Sequence, residues 1–179
     1  MLTLLVTNGI ENGQAASTVL TPLISYIFEQ TTSPAGGTGD VPLGAAQGCL
    51  VALNIIAQKQ VKNMNASHTS QMVSHAATWM VDGRAPVRLL AIRLMRVSLQ
   101  KMSAFMVDQF SELVLSSFFS QTIDETTIKI RKANLLLLGV IMERKGIHIV
   151  QKCVADKPEW ARVVKSIEKE QRRKERKAN

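Results

Sequence analysis

The sequence predicts an all-α fold: a short right-handed α-solenoid of about three helix pairs followed by a C-terminal helix. Three observations carry that expectation. Apolar residues make up 46% of the 179 but aromatics only 4%, and aliphatic side chains without alternating β-branched runs favour helix packed on helix. Prolines are sparse and are expected to mark interruptions. Above all, one stretch recurs. Within Asp82–Val97, the residues Val87, Leu90, Ala91, Leu94 and Val97 make an apolar stripe at helical spacing. The stripe returns 43 positions later as Ile130, Ala133, Leu137 and Val140, with Arg131 matching Arg88. A fainter copy lies 44 positions earlier, at Leu43, Ala46, Leu50 and Leu53. A period of this length, built as two helices, is the mark of a helical array.

Taken in order, Leu2–Val6 with Asn8-Gly9 reads as the last turns of a helix closed by glycine. A helix this short does not stand alone, so it is compatible with the tail of an earlier repeat and with a longer parent array. Ala15–Gln30 is the first full helix, with Ser17 as its N-terminal cap and Pro22 near its first turns. Thr31–Pro42 is a Gly/Pro-rich insertion. A phosphate-cradling loop would need a following Gly-Lys-Ser/Thr, which is missing. Leu43–Val61 is the second helix of that pair. Asn63–Ser70 is polar and ends in Ser/Thr residues suited to cap Gln71–Val81. Asp82-Gly83 turns the chain into Pro86–Lys101, with proline where its missing N–H is not needed. Ser103 caps a helix reaching about Ser120, and Ile128–Arg144 is the third matching helix. Its Leu-Leu-Leu-Leu-Gly-Val-Ile core is apolar all round and is expected to be covered on more than one face. Gly146 ends it, Ile147–Val154 is a short helix, and the last helix docks through Trp160, Val163, Val164 and Ile167. Residues 1–167 are thus assigned to the repeat domain and 168–179 to a charged, basic helical tail.

The formal charge is +8, with 22 basic and 14 acidic residues. The tail from Glu168 to Asn179 holds six basic and three acidic residues and so contributes +3 of it. Such an excess attracts anions generally without defining a site. Cys49 and Cys153 lie far apart in apolar helical stretches, as small buried hydrophobes do in a reducing compartment. The N-terminus lacks the basic start and apolar length of a signal peptide, and no apolar run approaches the ~20 residues of a membrane span. These features predict a soluble intracellular chain, cytoplasmic or nuclear, with no membrane contact.

The turn and helix residues resemble HEAT repeats of the HEAT/armadillo-like superfamily. Asp82 followed by Val87-Arg88 fits that pattern, and Asp124 with Ile130-Arg131 fits it with one extra residue. The resemblance covers roughly Ala15–Arg144. It implies a ladder between adjacent repeats in which the Asp82 and Asp124 carboxylates meet the Arg88 and Arg131 guanidinium groups, a planar fork suiting bidentate pairing. It also implies that the second helices line a concave face. The ladder is expected to stop at the first repeat, where Gly44 replaces the arginine.

No residues make a catalytic constellation. His68, His75 and His148 have no acidic or thiol partner at ligand spacing, and read as packing or surface histidines. No catalytic, cofactor or metal site is predicted, and no enzyme. The candidate partner contacts are Arg93, Arg96 and Gln100 on the second-helix face, with Arg172, Arg173 and Lys174 in the tail. Downstream equivalents of the first three are Leu136, Gly139 and Glu143, which argues against a continuous nucleic-acid track. The chain is therefore expected to be a non-enzymatic scaffold that binds a protein segment along the second helices. A ribonucleoprotein or ribosome-assembly factor touching RNA through the basic tail is the alternative.

Overall fold

A computed structural model describes residues 13–31, 38–60, 63–122 and 125–154, together with positions 165, 168–169, 172–173 and 175–176. The described residues fold as seven α-helices with no strand among them: α1 (Gly13–Thr31), α2 (Leu43–Lys59), α3 (Ala66–Met80), α4 (Ala85–Lys101), α5 (Ala104–Thr122), α6 (Ile128–Lys145) and α7 (Ile147–Val154). The expected N-terminal helix tail and the Trp160/Val163/Val164/Ile167 stripe lie outside the described residues, as does the middle of the Thr31–Pro42 insertion.

Local chemistry sets most of the boundaries. Asn65 caps α3: its Oδ1 accepts the His68 N–H at 2.9 Å, while His68 Nδ1 accepts the Asn65 N–H at 3.4 Å. This is a reciprocal capping box with histidine where glutamate or glutamine usually stands. It corrects the expected Ser/Thr cap and starts the helix at Ala66. The cap at Ser103 is as expected, its Oγ accepting the Met106 N–H at 3.3 Å. Gly146 closes α6 with φ of +84°, a conformation favouring glycine, and returns its N–H to Met142 O. The first helix differs from expectation. It begins at Gly13, so Ser17 is inside it rather than capping it, and Pro22 falls mid-helix on an exposed position. The helix-favouring Gln14-Ala15-Ala16 run carries the extra turn.

The packing has a simple order. Each odd helix packs on its even successor: α1 on α2, α3 on α4, α5 on α6. The even helices also touch in series, with α4 between α2 and α6, and α3 likewise touches both α1 and α5. Two rows of helices result, with α7 against α6. Leu50, Leu94 and Leu137, equivalent by sequence period, are all 0% exposed. Each such burial contributes about 2 kcal/mol of hydrophobic free energy. Around Leu94, α4 buries Val87, Ala91, Ile92, Met95 and Val97. Polar contacts act both within a row and between the rows. Asn54 Nδ2 on α2 donates to Leu90 O of α4 at 3.1 Å, and Lys145 of α6 pairs with Asp108 of α5.

Two histidines tie α3 to α1. His68 Nε2 lies 2.8 Å from Thr21 Oγ1, and His75 Nε2 lies 3.0 Å from Thr31 Oγ1. Thr31 Oγ1 also lies within hydrogen-bond distance of the Ile27 and Phe28 carbonyls, at 2.9 and 3.1 Å. Phe28 and Trp79 flank the His75 ring at 4.5 and 5.9 Å between centroids. Burial pushes the His75 imidazole down to about 4 and lowers that of His68 as well.

The expectation that the apolar centre of α6 is covered on more than one face is met only in part. Leu137, Leu138, Val140 and Ile141 are buried, but Leu135 and Leu136 are 44% and 56% exposed.

Candidate docking groove

The turns that open the second helices form a connected seam, and it positions α4 against its neighbours. Asp82 sits at the entrance to α4 with its side chain 1% exposed. Its Oδ1 accepts the Arg84 backbone N–H at 2.8 Å and Nε at 2.9 Å, and Oδ2 accepts Nη2 at 2.8 Å. The same guanidinium reaches back one repeat, donating to Val41 O at 2.6 Å and Thr38 O at 2.9 Å. Burial alone would raise the Asp82 carboxyl, but hydrogen bonds from Arg84 and Thr38, with the guanidinium charge, hold it at about 2. Arg88 reaches forward one repeat. Its Nε and Nη2 donate to Glu125 Oε2 at 3.1 and 2.8 Å, and its Nη1 donates to Asp82 O and Gly83 O.

The ladder implied by the HEAT resemblance is therefore rearranged. Arg88 meets Asp82 through its backbone carbonyl, because Arg84 already occupies the carboxylate. Its rung to the next repeat ends on Glu125; Asp124 lies outside the described residues, and Arg131 is exposed on α6. Glu125 stands 43 positions after Asp82, the same period as the leucines, and accepts the Thr127 N–H at 2.8 Å just as Asp82 accepts that of Arg84. That period was the available signal. In the first repeat the seam ends on the Thr38 and Val41 carbonyls, with no arginine from α2.

Held this way, α4 and α6 flank an open groove of about 520 Å³. Arg93 and Arg96 stand on the α4 wall; Lys129 and Lys132 stand on the α6 wall. Leu89 and Ile92 of α4 and Ala133 and Leu136 of α6 supply its apolar lining, the floor between the cations. Arg93 and both lysines are exposed, and Arg96 is half-buried. The Arg96 Nε is buried without a hydrogen-bond partner among the described residues. No carboxylate lines the groove.

Comparison with protein-family models, with curated proteins and with solved structures finds no match for this chain.

Of the candidate contacts read from sequence, the structure brings Arg93 and Arg96 together in the groove. Gln100, exposed one turn further along α4, does not line it. Arg172 and Arg173 are exposed in the tail, where Arg172 lies 4.0 Å from Glu168. Glu168 also accepts a hydrogen bond from Gln151 of α7 at 2.8 Å. Lys174 lies outside the described residues. Lys129 and Lys132 are the groove residues that sequence reasoning missed. Matching Arg93 and Arg96 by period leads to Leu136 and Gly139, which occupy the same place in the next repeat. A groove, however, has two walls, and the residues facing an α4 cation come from the opposite flank of α6.

The remaining titratable groups form no reactive arrangement among the described residues. There is no cluster of three or more His, Cys, Asp or Glu side chains able to hold a metal there. Cys49 is buried in α2, and that burial raises its thiol. No helix among the described residues is long and apolar enough to cross a membrane.

Proposed function

We propose that this chain is a non-enzymatic scaffold, a short HEAT/armadillo-like α-solenoid that binds a segment of a partner protein on its second-helix face. The groove between α4 and α6 is the docking site in this reading. One observation carries it: four cations from two helices stand over an open apolar floor, with no carboxylate among the lining residues to neutralise them. An array of paired helices suits this role because neighbouring repeats create extended surfaces rather than a reactive centre. The two rows of helices, the recurring buried leucines and the seam of turn-to-turn bonds support the array reading. In it the protein works inside the cell without a cofactor.

The reading predicts where a partner touches the chain. A benzophenone side chain in place of Leu136 should cross-link to protein in cell extract, while the same group at Thr78, exposed on the first-helix row, should not. Equal cross-linking from both positions would overturn it. The ribonucleoprotein reading draws on Arg172, Arg173 and Arg176, all exposed in the tail. If it holds, capture should disappear on nuclease treatment, fall steeply with salt, and require residues 168–179.

A further inference from the structure

We infer that the occupant of the α4/α6 groove is an acidic amphipathic helix: a leucine-like ridge with carboxylates on both of its flanks. The inference rests on the docking reading above and adds the chemistry of the partner. It starts from the placement of charge. Arg93 and Arg96 are three residues apart on one wall, Lys129 and Lys132 three residues apart on the other. On an α-helix such a pair lies on one face, separated by a rise of about 4.5 Å. The groove therefore offers two short rows of cations with apolar surface between them. Glu143, the carboxylate on the same face of α6, lies two turns beyond Leu136 and does not line the groove.

The floor decides between kinds of anion. Leu136 is 56% exposed and Leu89 half-buried beside it, so a guest that only pairs with the cations leaves exposed apolar surface unused. An amphipathic helix uses both, laying anchors spaced i, i+3 or i+4, and i+7 into the groove. About 520 Å³ accommodates such a ridge, being of the size that concave binding sites commonly have. Arg96 supplies a further reason. It lines the groove half-buried, and a guest carboxylate meets its guanidinium with a charge-assisted hydrogen bond. Single-stranded nucleic acid fits less well, because no aromatic ring lines the groove to stack a base. The chain's own end is also unsuited, since residues 168–179 carry a net +3 and would be repelled by the four cations.

The test uses the full chain and four fluorescent probes. The first is an 18-residue helical peptide with leucines at i, i+4, i+7 and i+11 and glutamates on both flanks. The second is its twin with every glutamate replaced by glutamine, the third a polyglutamate peptide, and the fourth a 12-nucleotide oligouridine. The first peptide should bind at least tenfold more tightly than each of the others. Arg93→Glu and Lys132→Glu, on opposite walls, should each weaken it at least tenfold without lowering the melting temperature, since both side chains are exposed. Equal binding by the glutamine twin, equal binding by polyglutamate, preference for oligouridine, or indifference to both charge reversals overturns the inference. Cross-linking at Leu136 separates the two levels. If it occurs while the acidic peptide fails to bind, the docking face stands and the acidic chemistry falls; if it is absent, the docking reading itself fails.

Discussion

The His75 imidazole offers the sharpest test of the α1–α3 packing. Its ring lies between Phe28 and Trp79 with Nε2 on Thr31, and burial lowers it from 6.5 to about 4. Unfolded, this histidine takes up a proton below about 6.5; folded, it does so only near 4. Across that window the unfolded state holds more protons, so stability falls as pH falls. Linkage over these two values gives a loss of about 2 kcal/mol between pH 7 and pH 5, equivalent to roughly 4–8 °C in a chain of this size. Urea denaturation of the wild type and of His75→Gln, at both pH values, isolates the effect. Glutamine does not titrate and retains an amide that can donate to or accept from the Thr31 hydroxyl, while the contribution of His68 is common to both chains. The wild type should lose about 2 kcal/mol more than the variant on acidification. Parallel pH dependence, or an imidazole titration by NMR centred near its ordinary value, would refute the buried, neutral ring.

Three further outcomes follow from the core, the seam and the α6 terminus. Leu94→Ala should cost about 3 kcal/mol in chemical denaturation, because it opens a cavity at a position that is 0% exposed; Leu94→Asp should abolish the helical circular-dichroism signal altogether. Arg84→Ala should cost about 3 kcal/mol by leaving the Asp82 carboxylate, with its side chain 1% exposed, without its main partner. Part of that loss should return in the double variant with Asp82→Asn, and a neutral Arg84→Ala in urea denaturation would show that the seam does not hold the turns. Because the Asp82 carboxyl is held at about 2, the stabilisation it provides is full above the ordinary carboxylate range and is lost as pH falls through that range toward 2. Gly146→Ala should cost about 1–3 kcal/mol through backbone strain at φ of +84°. Nothing lies within 4 Å of the added Cβ, so an unchanged melting temperature would contradict the left-handed conformation itself.

The helices were legible where local chemistry decides them. Ile147–Val154 was bounded correctly by Gly146 before it, and α4 by the Asp82-Gly83 turn and Pro86. Of the predicted stripe, Val87, Ala91, Leu94 and Val97 are buried, Leu90 is half-buried, and Leu43, the first-repeat match of Val87, is exposed because no described helix precedes its flank of α2 in the row. The start of α1 was less legible. Ser17 is a good cap in isolation, yet Gln14-Ala15-Ala16 propagates a helix through it. The Asn65–His68 box was hidden because histidine seldom takes the reciprocal position, although its ring nitrogen accepts a hydrogen bond as a carboxylate would. In the seam, the HEAT resemblance implies an aspartate partner in the adjacent repeat for Arg88, and the structure supplies Glu125; Asp124 lies outside the described residues.

By itself the sequence determined that the chain is helical, where the turns around Asp82-Gly83 and Gly146 fall, and that Leu50, Leu94 and Leu137 are buried alike. All of this follows from spacing within one helix or from a constant period between helices, and both can be counted along a chain. Only the tertiary structure decided that Arg84 claims Asp82, that Arg88 reaches Glu125, and that Lys129 and Lys132 face Arg93 and Arg96 across an apolar floor. Those pairings depend on which flank of one helix meets which flank of another. The angle at which two helices settle is set by the packing of all their side chains together, and no single stretch of sequence carries it.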